Sequence, residues 1–135
     1  MNDKVKWTKE VLFMGYKEIK KYCMHFVGGE RIVSKNELMY VESYGRKVFF
    51  QLINNQYVAY RKLDEVEREL SDHDFLRIHQ SYLVNMRFIN DIYGYQAYLT
   101  TGFSLPIPRA RYRDVREVYL YWKNECTMYE WENIL

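Results

Sequence analysis

The chain has 135 residues, 48% of them hydrophobic, with 14 tyrosines and 7 phenylalanines against 6 glycines and 2 prolines. That length and composition fit one folded domain with its own core and exclude a disordered or collagen-like chain. The net charge of +2 is small, yet residues 1–23 carry six lysines against three acids while 60–75 carry six acids against three bases, so the charge is segregated and one face can be basic.

Leu12, Tyr16 and Ile19 lie at helical spacing among lysines, which predicts an amphipathic N-terminal helix within residues 1–23. Strands are expected at 24–27 and 30–33 around Gly28-Gly29, a pair that accepts the positive φ of a tight turn. A strand over 38–43 is broken by Tyr44-Gly45-Arg46, and strands at 48–53 and 56–60 flank Asn54-Asn55. Then the period changes: Leu63, Val66 and Leu70 share one face of a short helix over 61–70. Beyond a polar connector, strands are expected at 75–78, 82–84, 88–93, 96–100 and 103–107, with Gly94 and Thr101-Gly102 as punctuation. From Tyr112 the spacing of Val115, Val118, Tyr119 and Trp122 is helical again. The result is a mainly β fold of short antiparallel strands with one inserted helix and helices at the ends, because the alternating strand and helix units of a parallel sheet are missing. The expected organisation is an N-terminal extension at 1–23, one domain at 24–120 and a helical tail at 121–135.

The longest apolar run, residues 11–16 with Gly15 counted, is far short of the roughly 20 residues that cross a bilayer, and residues 1–10 do not resemble a secretory signal. A cytoplasmic location is the expectation. Cys23 and Cys126 are far apart with no clustered histidines, so neither a zinc site nor another metal or cofactor is expected. Catalysis finds no motif either: HExxH, GxSxG, CxxC and a glycine-rich phosphate loop are all missing. His79 and Ser81 are two positions apart with no orienting acid in sight, so no enzyme and no small-molecule substrate is expected.

The stretch FLRIHQSYLVN, residues 75–85, sets five polar side chains into an otherwise apolar segment. Its alternation reads as a strand with one apolar face, and Asn85 can cap a turn or satisfy buried backbone groups. The string RIHQSYLVN followed by Phe88-Ile89 resembles the signature of the LytTR DNA-binding domain. Three further segments match in order: Leu38-Met39-Tyr40-Val41-Glu42 is similar to the family's strand ending in glutamate, residues 63–70 to its short helix, and GFSLPIPR at 102–109 to its last hairpin.

That resemblance implies an elongated assembly of short antiparallel strands that binds double-stranded DNA through loops, with no recognition helix in the groove. Carried onto this chain, the first loop offers Tyr44, Arg46 and Lys47. A second offers Gln80 and Ser81, with His79 and Asn85 beside them as contacts or as braces. The loop before the C-terminal helix offers Arg109, Arg111 and Arg113, unless these arginines, with Arg116, form only the solvated face of that helix. Two positions depart from the family's usual residues, Gln80 in place of arginine and Pro108 in place of serine. The first removes a charge and either turns the expected base preference toward adenine or weakens binding; the second removes a hydroxyl and a backbone donor, against phosphate contacts there. The expected protein is a transcriptional regulator without a receiver domain in this chain, whose apolar terminal segments either mediate dimerisation or pack on their own domain. The alternative is a module of the same fold that has lost DNA reading and binds a membrane or a protein partner.

Overall fold

The computed structural model describes residues 21–70 and 74–134, with side chains through Cys126. The expected N-terminal helix therefore lies outside the described residues, apart from its last three positions. Those three correct the expectation: β1 (Lys21–Phe26) begins at Lys21 and pairs with β2 (Gly29–Ser34), Lys21 opposite Ser34. Tyr22, Met24 and Phe26 point inward and alternate with exposed Lys21, Cys23 and His25, which is the period of two of a strand. The turn is Val27-Gly28, with Gly28 at φ 99°.

A five-stranded antiparallel sheet forms the middle of the structure, ordered β5-β4-β3-β7-β6. Its strands are β3 (Leu38–Tyr44), β4 (Lys47–Leu52), β5 (Gln56–Ala59), β6 (Phe75–His79) and β7 (Tyr82–Asn85). Between β5 and β6 sits α1 (Leu63–Glu69), which buries Leu63 and Val66, with Leu70 buried just after it. Its start is fixed by the Glu65 carboxylate, which accepts from the Lys62 backbone amide at 3.1 Å. The chain leaves the sheet through a 3-10 turn at Met86–Phe88 and builds a second, three-stranded sheet ordered β10-β9-β8. These strands are β8 (Ile89–Tyr93), β9 (Gln96–Leu99) and β10 (Ser104–Pro106), so Phe88 belongs to the turn and not, as the pattern suggested, to a strand.

The last helix, α2 (Arg109–Ile134), starts three residues earlier than its apolar spacing predicts and runs unbroken through position 120. No structural boundary separates 24–120 from 121–135 there, and Trp122 still packs against the domain.

Two cores lie on opposite faces of the central sheet, because neighbouring residues of a strand point opposite ways. On β7, Leu83 joins the core made with β1, β2 and α1, which holds Phe26, Val41, Phe50 and Val66. Its neighbour Val84 joins the core under the three-stranded sheet and α2, with Ile78, Ile92, Leu105, Val115 and Tyr119. Each fully buried side chain of this size contributes about 1.5–3 kcal/mol. The central sheet is thus packed on both faces.

Candidate nucleic-acid interface

Two hairpin turns of the central sheet meet at one end. The first, Gly45-Arg46, joins β3 to β4 with Tyr44 opposite Lys47, and Gly45 takes φ 63°, a conformation that costs a residue with a Cβ. Tyr44, Arg46 and Lys47 are exposed, and the Lys47 ammonium lies 5.5 Å from the centre of the Tyr60 ring. The second turn, Gln80-Ser81, joins β6 to β7 after a register irregularity between Arg77 and His79. A backbone hydrogen bond ties the turns together, the Ser43 amide donating to the Ser81 carbonyl at 2.9 Å.

Both turns border one concavity of about 980 Å³ whose lining also includes Tyr60, Lys62 and Arg111. Arg46, Gln80, Ser81 and Arg111 are therefore brought to one place from three separate parts of the chain. Asp64, Glu65 and Glu67 of α1 line it as well, so its charge is mixed.

The Gln80-Ser81 turn is fastened by side chains. Nε of Arg77 donates to the His79 carbonyl at 2.9 Å and Nη2 to the Gln80 carbonyl, while Nη1 reaches Asp64 at 2.9 Å and Glu67 at 2.8 Å. His79 is half-buried, edge-on to Tyr82 at 5.3 Å, and its Nδ1 accepts from the Ser81 amide at 2.9 Å. That acceptor geometry leaves Nε2 to carry the ring proton. Behind them the Tyr82 hydroxyl donates to Glu42 at 3.3 Å, and burial followed by the Glu42 charge pushes that phenol's pKa up.

Asn85 is a correction to the expected contact set. It is 1% exposed; its amide nitrogen donates to the Lys35 and Leu38 carbonyls at 3.1 and 3.0 Å and its oxygen accepts from the Arg87 amide at 3.0 Å. A side chain with no surface and with its amide so engaged holds the frame and offers nothing to a ligand.

Arg109, Arg111 and Arg113 stand on the first two turns of α2 instead of in a loop before it. The reason is that this first turn faces solvent, so no apolar residue announces it before Tyr112. All three are exposed, but they do not form one group: Arg111 borders the concavity, whereas the Arg109 guanidinium lies 5.1 Å from the Tyr95 ring, itself 4.6 Å from Tyr112. Tyr95 is left-handed at φ 63°, the sole described non-glycine residue with positive φ, and its carbonyl accepts from the Ile107 amide at 2.9 Å. Pro108 spends its carbonyl on the Arg111 amide at 2.9 Å.

Sequence reasoning passed over Arg77, Tyr60, Lys62 and Tyr95. Only Arg77 had a local signal, a lone arginine in an apolar strand with acids spaced i, i+3 on the preceding helix.

The LytTr DNA-binding domain family model matches residues 28–119, which contain all ten candidate positions. Among characterised proteins, the sensory transduction protein LytT of Bacillus subtilis is 24% identical over 92 residues, covering 64% of this chain and 38% of that protein. The transcriptional regulatory protein LytR of Staphylococcus aureus is 29% identical over 68 residues, covering 47% and 28%. This chain thus spans well under half the length of these relatives. A solved LytTr DNA-binding domain from Bacillus cereus superimposes with a TM-score of 0.65 at 21% identity, over 73% of this chain and 95% of that one, so the fold is shared. With the five-stranded sheet, the inserted helix and the motif string all inside the matched span, the chain belongs to the LytTr DNA-binding domain family.

Proposed function

We propose that the chain is a sequence-specific transcriptional regulator that reads duplex promoter DNA through its turns. The observation that carries this reading is the meeting of the Gly45-Arg46 turn, the Gln80-Ser81 turn and Arg111 around one concavity. Arg46 is suited to pair bidentately with guanine and Gln80 with adenine in the major groove. Tyr44, Lys47 and Ser81 carry phosphate-holding groups, and Arg109 and Arg113 extend the cationic surface along α2. His79 acts by holding the Ser81 amide. Two copies would read repeated half-sites if a terminal segment pairs them, and light scattering at high micromolar concentration tests this: a strictly monomeric mass refutes pairing.

The acids lining the concavity, Asp64, Glu65 and Glu67, favour a second reading, a module of the same fold that docks a protein partner. Selection from randomised duplex DNA across salt concentrations separates the two. Sequence-specific binding predicts an enriched motif and a log–log salt slope of about −0.9 per phosphate engaged. No enrichment overturns the regulator reading and leaves the docking module.

A further inference from the structure

We propose that Arg77 is a positioning residue that sets the geometry of the base-reading turn by locking it to α1. This inference rests on the proposal that Gln80 faces DNA. Arginine has five N–H donors in a rigid plane, and here four are engaged: two on consecutive carbonyls of the turn, those of His79 and Gln80, and two on Asp64 and Glu67 of α1. The Arg77 side chain is 14% exposed and borders the concavity, but four of its donors are spent on the turn and on α1, which makes it a strut first. Ser81, the other turn residue, is fixed independently through the His79 ring and the Ser43 amide. The exposed Gln80 side chain is presented from a backbone held on both sides.

The strut also has an electrostatic side. Asp64 and Glu67 border the concavity, and Arg77 supplies the cation that meets both. A residue that only neutralised them would change affinity for every DNA sequence alike. A strut for Gln80 changes which base is preferred at one position.

The decisive variant is Arg77→Lys, which keeps the charge and loses the fork, with Asp64→Asn combined with Glu67→Gln as a second variant that leaves β6 untouched. Two measurements are made on the full chain: base preference by selection from randomised duplex DNA, and amide hydrogen exchange without DNA. In Arg77→Lys, discrimination at the base position that Gln80→Ala also flattens should fall at least ten-fold, and combining the two substitutions should cause no further loss there. Turn amides at 80–82 should exchange at least ten-fold faster, with β3 and β4 unchanged. If Arg77→Lys does not fold, the carboxamide pair should show the same two effects. Wild-type chain without sequence preference but with the localised exchange effect would overturn DNA reading and leave the strut standing. Uniform weakening across all sequences, additive loss with Gln80→Ala, or unchanged exchange at 80–82 would overturn the strut.

Discussion

The two turns that meet at the end of the central sheet are held by different means. Gly45-Arg46 relies on a glycine at positive φ and on hairpin pairing, and its side chains stand in solvent. Gln80-Ser81 is fastened by Arg77 and by the His79 ring. The difference teaches where specificity can be stored: a side chain on a braced backbone discriminates between bases at fixed geometry, whereas one on a free hairpin adapts to the DNA it meets.

The largest expected loss of stability lies at the other end of β7. Asn85→Ala deletes two donors and one acceptor at a buried position; the Lys35 carbonyl keeps the Leu38 amide, while the buried Leu38 carbonyl and the Arg87 amide lose the Asn85 side chain. A buried group left without its partner costs about 1–3 kcal/mol, and a loss of that size in urea unfolding is expected. Tyr44→Ala on the open turn, 74% exposed, should stay within about 0.5 kcal/mol of wild type. Equal losses from the two would mean that Asn85 does not hold the frame.

Next in size is a change of what the braced turn presents. Gln80→Arg should leave stability unchanged and move the preferred base at one position from adenine to guanine, with a discrimination of about 1–3 kcal/mol in competition binding. A gain in affinity equal for all sequences would show that residue 80 touches phosphate.

The open turn responds through its backbone. In Gly45→Ala the added Cβ meets nothing within 4 Å, so the cost comes from the left-handed conformation alone, about 1 kcal/mol in unfolding. Its loss of DNA affinity should be spread over several positions instead of one.

How much of this was legible beforehand follows from the range of each interaction. Tyr22, Met24 and Phe26, or Leu63, Val66 and Leu70, bury one face of a single element, and that face is written as a period in the sequence. The start of α2 has no such record, since Arg109, Ala110 and Arg111 all face solvent and the periodicity begins only where the helix meets the core. The Gln80-Ser81 turn is legible because RIHQSYLVN is contiguous, and the Gly45-Arg46 turn because it follows the strand ending in Glu42. Arg77's task is not, because Asp64 and Glu67 lie 13 and 10 residues away on another element and only the fold brings them within hydrogen-bond reach. Asn85 was visible as a polar residue in an apolar run, but burial decides between brace and contact, and burial is tertiary.

The smallest effect is on protons. The Asp64 carboxyl is held below its ordinary value of 3.8, first by the hydrogen bond from Arg77 and then by that residue's charge. A carboxyl whose folded pKa is depressed stabilises the fold above its ordinary range, and the contribution fades as pH falls through the folded value. Because the Asp64 side chain is 73% exposed, solvent screens the pair and the consequence is local. An NMR titration of the side-chain carboxyl from about pH 6 to about pH 2 should place its midpoint below 3.8 in the wild type and return it toward that value in Arg77→Gln. The difference in stability between wild type and Asp64→Asn should likewise close as the pH drops through that midpoint. A wild-type midpoint at the ordinary value would take Asp64 out of the brace, and the contrast between the turns would then rest on Glu67, the two carbonyls and the His79 ring.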